Sequence, residues 1–273
     1  PSPLYRTAPR VGSLIKFFNI RLFLPALLLI NPASNLWADE KTSPVSIWKE
    51  LLEKKSDSVT WVSVTVRIEV SSGGRSFPPS EKKLEALGTV IGKDGLIVLS
   101  LNQVDPTDSI LARMRSPGNV NVNYTEVLIL LEDGSEVPAN FLLKDEDLDL
   151  AFIRPLPTDS NDSISKEFLA VEYNALKIPK VETLDEVVSL GKLGRNLYRK
   201  STLQRGWVNA VIDKPRDYLV VENVTPGTPV FDRHGKWIGV TAFRKEGGRP
   251  SGVITVPAFD VMEIARQVRE RTE

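Results

Sequence analysis

Apolar and polar residues alternate most cleanly between Thr60 and Val70. Val62, Val64, Val66, Ile68 and Val70 share one parity; Ser63, Thr65, Arg67 and Glu69 take the other. A period of two predicts a strand with one face against a core. Further on, the apolar runs are shorter and end in turn residues. Runs at 87–91 and 96–99 flank Lys93-Asp94-Gly95, and runs at 127–131 and 136–143 flank Glu132-Asp133-Gly134. Asp-Gly between apolar runs predicts a hairpin, because glycine accepts the positive φ of the turn. Strands are also expected at 148–153, 186–190, 202–212, 218–222, 236–243 and 252–256. Helical patterning is confined to the flanks. Residues 44–55 predict a short helix with Ser43 as its cap and Pro44 at its first position. Near the C-terminus, Val261, Ile264, Ala265 and Val268 form an apolar stripe that Asp260 is expected to cap. Segments 71–83, 106–123 and 155–180, rich in Pro, Gly, Ser or Asn, read as connections. About a dozen strands without interleaved helices predict an all-β fold, a barrel or sandwich pair.

Composition narrows the chemistry. The 273 residues carry 35 Lys+Arg against 35 Asp+Glu, so no net basic charge supports nucleic-acid binding. The absence of cysteine removes disulfides, thiolate metal sites and cysteine nucleophiles together. One histidine, His234, restricts any catalysis that needs an imidazole. Arg6, Arg10, Lys16 and Arg21 come before any acidic residue, and the apolar run 22–30 leads to Asn31-Pro32-Ala33-Ser34-Asn35-Leu36-Trp37-Ala38. This reads as a secretory signal peptide over residues 1–38, leaving 39–273 as the mature domain. A run of nine is short of the roughly 20 residues of a membrane span. The other reading is an uncleaved anchor that recruits residues 14–18. Cleavage would leave 31 basic and 35 acidic residues, a net of −4. An exported chain without cysteine suits a bacterial periplasm or the extracellular space.

Five segments, in order, resemble the chymotrypsin-like serine proteases of the HtrA/Deg type. They are Ala86-Leu87-Gly88-Thr89-Val90-Ile91-Gly92-Lys93-Asp94-Gly95-Leu96-Ile97-Val98; Leu131-Glu132-Asp133-Gly134-Ser135-Glu136-Val137-Pro138-Ala139; Asp147-Leu148-Asp149-Leu150-Ala151-Phe152-Ile153; Gln204-Arg205-Gly206-Trp207-Val208; and Pro229-Val230-Phe231-Asp232 running on to Gly239-Val240. The likeness covers about 51–268, the protease domain, with no PDZ domain following. It implies two six-stranded antiparallel barrels with a C-terminal helix and an active-site cleft between them. It also implies serine endopeptidase chemistry, with Asp149 in the place of the triad aspartate.

The likeness fails at the other two triad positions. Counted from Gly95, the histidine position falls on Asn102, or on Gln103 with a shift of one. An amide has no useful pKa for a general base. Aligned on Pro229, the nucleophile motif reads Val224-Thr225-Pro226-Gly227-Thr228-Pro229, so Pro226 stands where serine should be. Proline supplies neither a hydroxyl nor the backbone N–H that serves as an oxyanion donor. Thr225 and Thr228 are the neighbouring hydroxyls that an alternative nucleophile would use, although neither has an evident activator. His234 is expected in an exposed hairpin turn. Asp149 reads either as a catalytic relic or as a buried carboxylate that holds the barrel junction.

Other signals are weaker. Gly191-Lys192-Leu193-Gly194-Arg195 lacks the strand–loop–helix context and the ending of a phosphate loop, and the resemblance implies a loop after a strand. Arg195, Arg199, Lys200 and Arg205 read as a solvated basic cluster. Asp145, Glu146, Asp147 and Asp149 match no calcium loop, and neither a metal nor a cofactor is expected. Trp48, Trp61, Trp207 and Trp237 are expected in the core. Three functions remain open: a non-catalytic domain binding a peptide or protein partner in the envelope, an endopeptidase with an unorthodox nucleophile and base, or an inert module of a larger assembly.

Overall fold

Ser43 starts the first helix by accepting a hydrogen bond from the Ser46 N–H at 3.2 Å, and Pro44 follows where its missing N–H costs nothing. The computed structural model describes residues 43–114, 117–157, 167–246 and 249–272. The expected leader, 1–38, lies outside them. Helix α1 (Pro44–Lys55) leads into β1 (Val59–Ser72), β2 (Arg75–Ser76), β3 (Ser80–Val90) and β4 (Ile97–Ser100). Two short helices follow, α2 (Leu101–Val104) and α3 (Thr107–Leu111), then β5 (Gly118–Leu130), β6 (Glu136–Asp145) and β7 (Leu150–Pro155). The second half holds β8 (Glu186–Lys192), β9 (Ser201–Ile212), β10 (Tyr218–Val221), β11 (Pro229–Asp232), β12 (Trp237–Glu246), β13 (Arg249–Pro257) and helix α4 (Ala258–Thr272).

Pairing closes each half on itself. In the first, the order β1-β3-β4-β7-β6-β5 returns to β1, with β2 added at the far end of β1. In the second, β10-β13-β12-β11-β8-β9 returns to β10. All pairs are antiparallel, so the chain is an all-β pair of six-stranded barrels with an N-terminal and a C-terminal helix. Closure leaves neither barrel with a free edge over its paired residues.

Three apolar clusters fill this architecture. The interior of the first barrel takes the alternating valines of β1 with Ile97, Leu99, Ile129 and Ile153. The second interior is smaller, with Val187, Val208, Leu219, Val221, Val230 and Ile238. The third and largest lies outside both barrels, joining Leu96, Val98, Leu150 and Phe152 to Val188, Leu190, Phe231, Val240 and the buried faces of α1 and α4. Strands β4 and β7 therefore bury both faces. This explains why they read as continuous apolar runs where β1 alternates. Helix α4 packs Val261, Ala265 and Val268 into the shared cluster.

Several expectations need correction. Segment 106–123 is not wholly a connection. It holds α3 and the start of β5, whose residues from Gly118 pair with β1. Val120, Val122 and Tyr124 alternate with Asn119, Asn121 and Asn123, and asparagine's low strand propensity hid the period of two. Within 71–83, Arg75–Ser76 pairs with β1 and β3 already begins at Ser80. Asp260 sits inside the first turn of α4, where an acid favours the free N–H groups, and does not precede the helix. Trp207 is 40% exposed on β9, beside the Arg205 guanidinium, whereas Trp48 and Trp237 are buried. Trp61 is half-buried and donates to the Leu193 carbonyl at 3.0 Å.

The barrels meet closely at Gly227. Its φ is +86°, and a Cβ there would lie 2.0 Å from the Leu87 carbonyl oxygen. Thr89 Oγ1 crosses the junction to donate to the Gly227 carbonyl at 2.9 Å. Gly227→Ala is expected to lower stability by about 3 kcal/mol, from left-handed strain plus displaced backbone. Urea unfolding of the variant beside Gly252→Ala, where a Cβ meets nothing within 4 Å, checks this; equal losses would remove the close approach as the cause.

Candidate functional site

Asp149 closes the turn before β7 in a left-handed conformation, φ +57°, which aspartate tolerates better than most residues. The Leu148 N–H donates to Asp145 Oδ1 at 2.9 Å and tightens that turn. Asp149 itself is fully buried, and three donors meet its carboxylate. Ser100 Oγ donates to Oδ2 at 2.5 Å, the Phe243 N–H to Oδ2 at 2.8 Å, and the Asn102 N–H to Oδ1 at 2.7 Å. Its carbonyl also accepts from the Leu101 N–H at 2.9 Å. One residue thus holds the first turn of α2 and fastens β12 of the second barrel to the first. Burial pushes the carboxyl above the usual aspartate range. The bonds from Ser100, Phe243 and Asn102 and the charge of Lys245 act in the opposite direction.

Of the two residues aligned with the histidine position, Asn102 is the one whose backbone meets Asp149. Gln103 is half-buried, and its Oε1 lacks a hydrogen-bond partner among the described residues. The turn 225–228 sits on the same strand edge. The Thr241 N–H donates to the Thr228 carbonyl, and the Gly227 N–H donates to the Thr241 carbonyl at 2.7 Å. Residues 241 and 243 are two apart, so β12 presents the turn and Asp149 about 7 Å apart along one edge. The structure therefore gathers Asp149, Asn102 and the 225–228 turn at one place between the barrels.

The side chains there are closed in on themselves. Pro226 is buried. Thr228 is 1% exposed; its hydroxyl donates to the Thr225 carbonyl at 2.7 Å and lies 2.7 Å from Ser189 Oγ. Thr241 Oγ1 donates to the same Thr225 carbonyl. Among the described residues, no imidazole, amine or carboxylate is hydrogen-bonded to the hydroxyl of Thr225 or Thr228. His234 is exposed in the β11–β12 turn, where its N–H donates to Asp232 Oδ1 at 2.8 Å. That turn is separated from Phe243 by about 20 Å of strand at 3.3 Å per residue.

The sequence had not singled out Ser100, Ser189, Thr241 or the Phe243 N–H. Ser100 had left a signal, as a polar residue ending an apolar run that is buried on both faces. In the basic cluster, Arg199 pairs with Glu85 at 3.3 Å and Arg205 with Glu186, while Arg195 and Lys200 are exposed. Asp145, Glu146, Asp147 and Asp149 do not converge as metal ligands, and no group of three such ligands forms among the described residues. No described helix is long and apolar enough to cross a membrane.

Two closed six-stranded antiparallel barrels with this junction between them are consistent with the chymotrypsin-like class of fold. No model of a known protein family matches the chain, and no curated protein is similar enough to match it.

Asp149→Ala is expected to cost about 3 kcal/mol, because it leaves two buried N–H groups and a hydroxyl without their acceptor. The pH dependence has a definite sign. An acid whose folded pKa lies above its unfolded value holds its proton more tightly in the fold. Its contribution to stability is present at low pH and is lost as pH rises through the folded value. The stability margin of wild type over Asp149→Asn should therefore narrow as pH is raised from the ordinary aspartate value. Urea unfolding across that range tests it, and a widening margin would show that the three hydrogen bonds outweigh burial.

Proposed function

We propose that the chain is an exported, protease-like domain of the HtrA/Deg type that binds a peptide or protein partner in the cell envelope and does not cleave it. The observation that carries this reading is Pro226. At the position aligned with the nucleophile, the side chain is buried and has neither a hydroxyl nor an N–H to offer. Asn102 at the imidazole position adds to it, because an amide cannot take the proton of an attacking hydroxyl. The retained Asp149 fits the same view. It serves the barrel junction through Ser100, Asn102 and Phe243 and so has a reason to persist without a triad. Export rests on the basic and then apolar order of residues 6–30.

The competing endopeptidase would use Thr225 or Thr228. It is opposed by the burial of the Thr228 hydroxyl and its bonding to a carbonyl and to Ser189. The purified chain is expected to turn over casein no faster than buffer, and to take no label from a fluorophosphonate probe. Turnover that disappears in Asp149→Ala, or a labelled threonine or serine mapped by mass spectrometry, would overturn the non-catalytic reading.

A further inference from the structure

The inter-barrel junction is closed by its own hydroxyls, but a cavity of about 880 Å³ opens elsewhere on the second barrel. Helix α1, the connection 172–181, the β9–β10 turn, the β11–β12 turn and the start of α4 all contribute to it. Its volume is in the range of pockets that enclose a small ligand or a few side chains. Its floor is apolar and buried, with Tyr218, Phe231 and Trp237; Tyr173, half-buried, meets Trp237 edge-on at 6.1 Å, and Val211, Ile178 and Phe259 give the exposed apolar surface. Phe259 is 51% exposed, so much of its ring is open to solvent.

Charge gives the mouth a direction. Lys55 is held by Glu172 at 2.6 Å. Lys177, from the connection, and Lys236, from the β11–β12 turn, also line the cavity. Asp217, just before β10, and Asp260, in the first turn of α4, form a separate acidic edge. Arg216 is the opposing charge that acts on this edge, and it does not balance it. Burial first, and then the charge of Asp217, keep the Asp260 carboxyl above its usual range. A cation at this edge would relieve the repulsion, and the neighbouring aromatic faces favour one that carries an apolar stem.

We infer that this cavity is the binding site of the domain, and that it takes a short peptide whose apolar side chains lie against Val211, Ile178 and Phe259 and whose lysine or arginine reaches the Asp217–Asp260 edge. The inference rests on the peptide-binding reading and moves the site from the junction to the second barrel.

Random dodecapeptides displayed on phage, panned against the immobilised chain, provide the probes. The recovered sequences are then synthesised and titrated against variants. Asp217 and Phe259 are exposed, so Asp217→Lys and Phe259→Ala should fold, which a thermal melt checks. The expected peptides combine apolar residues with lysine or arginine. They should bind Asp217→Lys and Phe259→Ala at least tenfold more weakly, and bind the junction variant Asn102→Arg as they bind wild type. A peptide with its basic residue changed to glutamate should recover binding to Asp217→Lys. Peptides that lose binding to Asn102→Arg and ignore the other two variants would overturn the location and leave the peptide-binding reading standing. Enrichment of acidic peptides, or tighter binding to Asp217→Lys, would overturn the charge assignment. A failure to recover any binding peptide would overturn both this inference and the reading beneath it.

Discussion

A carboxylate sealed between two barrels has to be answered by donors, and the arrangement around Asp149 follows from that requirement. A buried, unpaired carboxylate is among the most costly groups a fold can hold. Ser100 supplies a hydroxyl from the end of β4, α2 supplies an N–H at Asn102, and β12 supplies another at Phe243. These donors come from both halves of the chain. The backbone path of each is fixed by the need to reach the same two oxygen atoms. The left-handed turn at Asp149 and the short helix after β4 are local consequences of that convergence.

The shared apolar cluster does the bulk of the joining. Strands β4 and β7 face the first interior with Ile97, Leu99, Ala151 and Ile153, and face the second barrel with Val98, Leu150 and Phe152. Helices α1 and α4 cover the remaining sides of this seam, burying Trp48 and Leu51 from one and Val261 and Ala265 from the other. Burial of apolar area is non-directional, so it brings the barrels together without fixing their register. Register comes from two polar contacts, Phe243 to Asp149 and Thr89 to Gly227, and from the close approach of Gly227 to Leu87.

Much of this was legible in the residues. The alternation in β1, the Asp-Gly hairpins, the cap at Ser43 and the apolar stripe of α4 are local patterns, and local physics decides them. The start of β5 was missed because asparagine is a poor strand former, and only its pairing with β1 overrides that preference. Trp207 was misplaced for a related reason: a large apolar residue on a strand can point outward, and the sequence alone does not say which parity faces in. At the site, Asn102 and Pro226 were visible in the sequence as departures from the family it resembles. The bond from Phe243 to Asp149 was not, because it joins residues far apart in the chain. The cavity on the second barrel was also hidden, since five separate segments build it and none carries a motif.

The edge of β12 has a wider consequence. It zips to β11 through Val240, receives the 225–228 turn at Thr241, and beyond that spends its next outward N–H on the other barrel. A single strand is thus stitched into both halves in succession. Neither half can be excised as a module with its surface intact, and denaturation should proceed as one cooperative event. The two barrels are two closed sheets, but thermodynamically they are one body.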